Sequence, residues 1–129
     1  MNREIKFRAW HKDLKKMFKI GQITLEKGTW NFEPNDRDFI GMSIPFQPSF
    51  VLMQYTGLHD KNGKEIYEGD IVGDSEIKWT VKWNKHRMGF CLYPTTKQLY
   101  DEMPINVENK LSFKIIGNIY DNPELLGGE

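Results

Sequence analysis

The stretch Tyr55-Thr-Gly-Leu-His-Asp-Lys-Asn-Gly-Lys-Glu-Ile-Tyr-Glu-Gly-Asp-Ile-Val72 holds two turns and the start of a strand within eighteen residues. Asn62-Gly63 is the dipeptide favoured in a two-residue type I′ hairpin turn, where both central residues need a positive φ. Gly69 and Asp70 predict a second turn, since glycine tolerates a positive φ and the aspartate side chain accepts hydrogen bonds from nearby backbone N–H groups. The apolar pair that ends the stretch opens a new strand. All of these residues are interpreted as structural.

The length and the cysteine usage limit the class of protein. A chain of 129 residues suits one domain or two small lobes that share a core. The single cysteine, Cys91, cannot form an internal disulfide, and the first residues contain no apolar leader segment. We therefore expect a protein of a reducing cytoplasm. No window approaches the roughly 18 apolar residues of a membrane span, so no membrane association is expected.

Charge is balanced overall but unevenly distributed. The chain has 18 basic and 18 acidic side chains, so its net charge gives no argument for nucleic acid. Residues 1–27 hold eight Lys or Arg against three acids, a net of +5, and the remainder therefore carries −5. This division suits a polarised binding surface or head-to-tail self-association.

The composition predicts a mainly β fold. Aromatic residues make up 13% of the chain, glycine and proline recur throughout, and no long 3.6-residue apolar period is present. We expect an N-terminal β lobe over residues 1–56 and a small SH3-like β-barrel part with a C-terminal short helix over residues 57–129. The alternative is a single intertwined domain.

Alternating apolar residues locate most of the strands. Arg3–Trp10 predicts a strand with Ala9 on one face and Trp10 on the other. Strict alternation over Ile77–Asn84 predicts a half-buried strand whose hairpin partner follows. The remaining expectations are strands over Met17–Leu25, Phe50–Tyr55, Gly89–Tyr93 and Leu111–Tyr120, polar turns over Asn31–Gly41, an irregular connection over Gly41–Ser49, an ambiguous or helical stretch over Thr95–Met103, and a short helix capped by Asn122 and stopped by Gly127.

Three blocks resemble the YopX family of phage and prophage proteins. They are Arg3–Trp10 with Lys16-Met17 after it, Met53-Gln54 leading into Tyr55–Val72, and Gly117–Leu126. The resemblance covers nearly the whole chain, and it departs from the family pattern at His59 and in the longer connection Gly41–Ser49. It implies a small phage-encoded protein of the host cytoplasm, mainly β and homo-oligomeric, with no assigned reaction, no cofactor and no catalytic residues to transfer.

Two acidic patterns have structural interpretations that we prefer to chemical ones. Asp60–Glu65 has carboxylates around a glycine, but a calcium loop needs glycine at its sixth position and Gly63 is fourth, so a hairpin is favoured. Five acids lie close together in sequence and would suit acid–base catalysis, but no histidine or nucleophile accompanies them at a fixed spacing. These acids are Glu65, Glu68, Asp70, Asp74 and Glu76.

Two further patterns are also read as structural. Cys91 lies in an apolar strand, where a buried and inert thiol is more ordinary than a nucleophile. Asp36-Arg37-Asp38 offers a phosphate clamp, with a loop salt bridge as the ordinary alternative. We therefore predict no catalytic residues, no metal site and no cofactor.

A basic and aromatic face at the N-terminus is the candidate for nucleic-acid binding. Lys6, Arg8 and Trp10 interleave cations with a ring on one predicted strand face, and Lys15 and Lys16 extend the charge. Lysines that guard an edge strand are the ordinary alternative. A second set of cations would form a matching face: Lys78, Lys82, Lys85 and Arg87.

The favoured function is a non-enzymatic binding protein that acts by protein–protein contact or self-assembly. Aromatic side chains are the expected anchors, namely Trp10, Tyr55, Tyr67 and Tyr120. Partners would be further copies of the chain or a host or phage protein, with nucleic acid as the alternative. The pair Trp79 and Trp83 would serve as a ligand groove, but their shared face with apolar neighbours favours core packing for both.

Overall fold

The structure is a computed structural model of the chain and describes residues 4–26, 29–39, 42–73, 77–95, 103–104 and 113–126. Strands dominate it, which confirms the mainly β prediction, and the helical residues among those described lie in two 3-10 turns, Arg37–Phe39 and Pro123–Leu126. The chain forms two compact units, an N-terminal unit of Ile5–Gln54 and a C-terminal unit that contains all residues from Tyr55 onward. The strands are β1 (Phe7–His11), β2 (Lys16–Glu26), β3 (Thr29–Pro34), β4 (Ile44–Pro45), β5 (Phe50–His59), β6 (Glu65–Tyr67), β7 (Asp70–Gly73), β8 (Lys78–Asn84), β9 (Gly89–Pro94), β10 (Met103–Pro104) and β11 (Lys114–Asn118).

The N-terminal unit is an antiparallel sheet in the order β4-β3-β2-β1, followed by the first half of β5. Ala9 of β1 lies opposite Phe18 of β2 and Leu52 of β5, so one face of the sheet collects apolar side chains. Aromatic rings fill this face, with Phe32 and Phe50 edge to face at 4.9 Å between centroids. The core of the unit therefore lies on the face that Ala9 shares.

The alternation predicted for β1 is confirmed, but Trp10 is not exposed, as binding through its face would require. Ala9 is 0% exposed and Trp10 is 7% exposed, so adjacent residues that point to opposite faces are both buried. β1 pairs with β2 on one side and β5 on the other, which makes it a central strand and not an exposed edge. The polar turn predicted from Asn31 onward is wrong in its first part, because Phe32 is buried within strand β3.

The C-terminal unit has a five-stranded antiparallel sheet in the order β10-β9-β8-β7-β11. Its core contains Ile66, Val72, Trp79, Val81 and Leu92. The predicted hairpin of β8 and β9 is confirmed, with Val81 opposite Leu92. The sheet does not close into a barrel within the residues described, so the SH3-like detail stays a prediction.

The Gly69-Asp70 turn forms as the sequence predicts. Gly69 has φ +90°, which an L side chain rarely adopts. The Asp70 carboxylate accepts a 2.7 Å hydrogen bond from the Tyr67 backbone N–H. The Gly69 N–H donates to the Val81 carbonyl at 2.8 Å, which joins the turn to β8.

The Asn62-Gly63 hairpin is confirmed by the pairing of β5 with β6, but the type I′ turn is wrong. Gly63 has φ +85°, whereas Asn62 is not among the described residues with positive φ. The loop is instead organised by Asp60, whose Oδ1 accepts N–H bonds from Asn62 at 2.8 Å and Lys64 at 2.9 Å. The turn is therefore stabilised by the Asp60 carboxylate, which accepts two loop N–H groups, and not by two successive residues with positive φ.

Asp60 also fixes a distant strand. Its Oδ2 accepts a 2.8 Å hydrogen bond from the N–H of Ile115 in β11. Burial alone raises the pKa of the Asp60 carboxyl, but the N–H donors of Ile115, Lys64 and Asn62 and the Lys64 charge outweigh it. The net result is a pKa below the ordinary value.

The end of the chain differs in detail from its predicted pattern. A register shift between Ile115 and Gly117 interrupts the alternation of β11. The short helix is confirmed as a 3-10 turn, but the Asn122 side chain accepts the N–H of Asn118 and does not cap that turn. Residues 96–102 of the stretch Thr95–Met103, and Gly127, lie outside the described residues.

We predict that Asp60→Ala lowers the free energy of unfolding by about 3 kcal/mol, because hydrogen bonds to a charged group are lost and buried N–H donors stay unsatisfied. Urea denaturation followed by tryptophan fluorescence measures this. Asp13→Ala, which removes an exposed carboxylate in the turn after β1, is the control and should cost almost nothing. Equal losses in the two variants would contradict the role of Asp60.

The stabilisation by Asp60 should depend on pH. The folded state holds the pKa of this carboxyl below its ordinary value, so its contribution is complete above the unfolded pKa of about 3.9. The contribution is lost as the pH falls through the folded-state pKa. The difference in unfolding free energy between the natural chain and Asp60→Asn should therefore shrink from pH 7 towards pH 3, and a constant difference would refute this.

Candidate functional site

The β8–β9 hairpin presents the best-defined candidate binding surface. Its loop, Lys85–Met88, joins the paired residues Asn84 and Gly89. Asn84 organises the loop, because its Oδ1 accepts N–H bonds from His86 and Arg87, both at 2.9 Å. Its Nδ2 donates to the Tyr93 hydroxyl at 2.8 Å, so the tip of the hairpin is tied to β9.

Trp83 is the main apolar group at this tip. It is 48% exposed, whereas Trp79 on the same strand and the same face is 5% exposed. The Trp83 ring meets its cross-strand partner Phe90 edge to face, with centroids 5.2 Å apart, and Phe90 packs against the core. Met88 beside them is exposed and has φ +56°. The hairpin therefore holds an exposed aromatic ring in a fixed position.

The hairpin is also basic. Residues 77–95 contain no Asp or Glu, and they contain Lys78, Lys82, Lys85 and Arg87. The last three are exposed, and the Lys82 Nζ lies 5.5 Å from the centroid of the Tyr93 ring. Lys85 and Arg87 thus lie in the loop that follows Trp83, whereas Lys82 lies on the opposite face of β8.

The structure divides the N-terminal residues predicted to bind nucleic acid. In the register of β1 and β2, Lys16 lies opposite His11 and on the core side, while Arg8 and Trp10 lie on the other face. The Lys16 Nζ lies 3.2 Å from an Asp36 carboxylate oxygen and 5.0 Å from the Phe18 ring centroid. Lys15 is exposed in the turn, with φ +52°. Lys6 and Arg8 are half-buried, so the five residues do not form one surface.

Three of the four predicted aromatic anchors are buried. Trp10, Tyr55 and Tyr67 lie in the interior, and Tyr120 is half-buried. The Tyr55 and Tyr67 rings lie 5.5 Å apart, and the Tyr67 hydroxyl donates to Glu65 at 3.3 Å. These side chains contribute to packing in this chain, and their predicted role as contact anchors stays untested.

The groups considered for catalysis are held in structural roles or are buried. Asp70 accepts a backbone N–H, and the Cys91 thiol is buried. Asp36 forms an ion pair with Lys16 of β2, a partner outside the loop for which the salt bridge was predicted. Asp74 and Glu76 lie outside the described residues.

Two general kinds of functional feature are missing from the part of the chain that the structure describes. It contains no group of three His, Cys, Asp or Glu side chains arranged to hold a metal ion. None of its helices is long and apolar enough to cross a membrane.

Sequence reasoning missed Trp83 as an exposed group. Period-two alternation assigned it to the same buried face as Trp79, and that face is correct. The signal of its exposure was its position directly before the polar loop, because the residues at the tip of a hairpin often extend past the core. The absence of acids from residues 77–95 was a second signal.

Comparisons with known proteins cover almost the whole chain. The family model described as "YopX protein" matches residues 6–127. The fold is similar to the crystal structure of protein EF1440 from Enterococcus faecalis, at 26% identity and a TM-score of 0.67, over 98% of this chain and 100% of that one. It is also similar to the X-ray structure of protein yopX from Bacillus subtilis, at 21% identity and a TM-score of 0.58, over 96% of this chain and 97% of that one. No curated protein matches the chain.

Trp79 and Trp83 should differ in what they contribute to stability. We expect Trp79→Ala to cost about 3–5 kcal/mol, because it leaves a cavity in the core. Trp83→Ala should cost only about 1 kcal/mol, the value of one aromatic pair. Denaturation of both variants checks this, and a loss of several kcal/mol at Trp83 would show that its ring belongs to the core.

Proposed function

We propose that this chain, which belongs to the YopX family, is a non-enzymatic binding protein that acts through protein–protein contact or self-assembly. The observation that carries the proposal is the exposed Trp83 ring, held against Phe90 on a hairpin whose loop Asn84 organises. Aromatic residues, methionine and arginine are the types enriched at protein interfaces, and Trp83, Met88 and Arg87 supply all three. We assign the contact surface to this hairpin, in place of the buried anchors that the sequence suggested.

A ring that is already ordered favours binding. Immobilising a mobile side chain costs about 0.5–1.5 kcal/mol at an interface. The Phe90 contact and the Asn84 hydrogen bonds restrict Trp83 and the loop before any partner arrives. A partner that covers Trp83 therefore gains apolar burial without most of that cost.

The non-enzymatic part of the proposal is supported by how the reactive groups are used. Asp60 and Asp70 accept backbone hydrogen bonds that shape turns, and the Cys91 thiol is buried. The two carboxylates therefore stabilise turns, and the Cys91 side chain occupies a buried position.

The proposal includes an SH3-like character for the C-terminal unit and a setting in the host cytoplasm of a phage or prophage. In the order β10-β9-β8-β7-β11 the last strand of the sheet lies beside its first strand, and this arrangement supports the SH3-like proposal. The family resemblance is the support for the phage setting, and a single buried cysteine is compatible with a reducing compartment.

Nucleic-acid binding is the second candidate function, and the hairpin favours it more than the N-terminal strand does. Exposed Lys85 and Arg87 in the loop after Trp83 combine phosphate attraction with a stacking ring, and exposed Lys82 adds positive charge on the other face of β8. The N-terminal candidates Lys6, Arg8, Trp10, Lys15 and Lys16 remain a prediction, but they lack a common surface.

A pull-down from lysate of the bacterial host separates the two functions. We expect the tagged natural chain to retain further copies of itself or one protein partner after nuclease treatment. Trp83→Ala should lose that protein, because the interface loses its apolar anchor. Phe46→Ala is the matched control, since Phe46 is 45% exposed but lies in the N-terminal unit.

Two results would contradict protein contact through the hairpin. One is retention that Trp83→Ala leaves unchanged. The other is loss of all bound protein on nuclease treatment, together with a steep fall in nucleic-acid affinity between roughly 50 and 200 mM salt, which supports the second function.

A further inference from the structure

We propose that the β8–β9 hairpin of one copy binds the C-terminal segment Tyr120–Leu126 of a second copy in a head-to-tail contact. This inference rests on the proposed function, since it takes the hairpin as a protein-binding surface and names its occupant. Both surfaces belong to the C-terminal unit, so one unit would carry both halves of the contact.

The C-terminal segment is held in a defined shape. The Asn118 Oδ1 accepts N–H bonds from Tyr120 at 2.9 Å and Asp121 at 2.8 Å, and its Nδ2 donates to the Asp121 carboxylate at 3.0 Å. The Asn122 carbonyl accepts the Leu125 N–H at 3.0 Å and begins the 3-10 turn. The segment is therefore an ordered turn held against the end of β11 by Asn118 and Asn122, as the hairpin loop is held by Asn84.

The two surfaces have opposite charge. The segment carries Asp121 and Glu124, both exposed, and residues 115–126 contain no Lys or Arg. The hairpin carries exposed Lys85 and Arg87 with no acid between residues 77 and 95. Opposed single-sign surfaces attract one another, speed encounter and select the orientation of docking.

The two surfaces also match in apolar character. Trp83 and Met88 form the apolar part of the hairpin, and Leu126 is an exposed apolar group at the end of the segment. Apolar groups at the centre with charges around them are the usual layout of a specific interface. Nucleic acid would not bind the acidic C-terminal segment and would leave Leu126 exposed. A second copy would cover both the basic hairpin and this segment, so it is the better occupant.

The contact joins different patches of the two copies and is therefore heterologous. After one contact, one copy still has an unused segment and the other an unused hairpin, so either these two meet in a reciprocal dimer or further copies add to form a ring or an open filament. The natural chain should therefore have a mass that is a multiple of 15.2 kDa, from two copies upward.

Complementary variants test the contact by light scattering. The hairpin variant is Trp83→Ala with Lys85→Glu, and the segment variant is Glu124→Lys with Leu126→Asp. Each alone should be a monomer of 15.2 kDa, because every contact needs both surfaces. An equimolar mixture should give a 1:1 dimer, because one intact hairpin meets one intact segment. Circular dichroism confirms that each variant is folded, and Phe46→Ala should assemble like the natural chain.

The other outcomes identify what fails. If the natural chain assembles and only the hairpin variant disrupts it, the segment is not the occupant, but the proposed function stands. If neither variant disrupts assembly, both the inference and the hairpin as the contact surface are wrong. A natural chain that is monomeric at high micromolar concentration overturns this inference, while partner retention that depends on Trp83 would still support the proposed function.

Discussion

The Asp60 carboxylate is the interaction on which the C-terminal unit depends most. It binds two N–H groups of its own hairpin loop and one of β11, fifty-five residues further along the chain. β11 pairs with β7, and β7 pairs with β8, which carries Trp83. The same β11 ends at Asn118, which shapes the acidic segment. Through β11, this one buried carboxylate therefore helps to position both proposed contact surfaces, the β8–β9 hairpin and the segment Tyr120–Leu126.

The second constraint is the limited extent of the core. Trp79, Val81 and Trp83 share one face of β8, yet only the first two belong to the core cluster. Phe90 lies at the boundary, packed against the core on one side and against the Trp83 ring on the other. A hairpin longer than the core it covers must expose its tip. Here the tip exposes a large aromatic ring, with Lys85 and Arg87 in the adjoining loop, and a partner that covers the ring would gain apolar burial.

Local chemistry made part of this predictable from sequence. Gly69 and Asp70 specify their turn through their own conformational freedom and hydrogen bonding, and alternation identified β8 and β9. The type of the Asn62-Gly63 turn was not predictable from the dipeptide, because Asp60 also bonds to Ile115 and that contact is not local. The burial of Trp10 was not predicted, because alternation reports which face a residue is on and not whether that face is covered. The exposure of Trp83 was not predicted for the same reason.

The central claim is that Trp83 on a preformed hairpin is the point of contact. The most direct measurement follows the indole N–H signals of the tryptophans by NMR as the concentration of the natural chain is raised. The account predicts that the Trp83 signal shifts with concentration, while those of buried Trp79 and Trp10 stay in place. An unchanged Trp83 signal in a chain that associates would contradict it, as would shifts centred on Trp10.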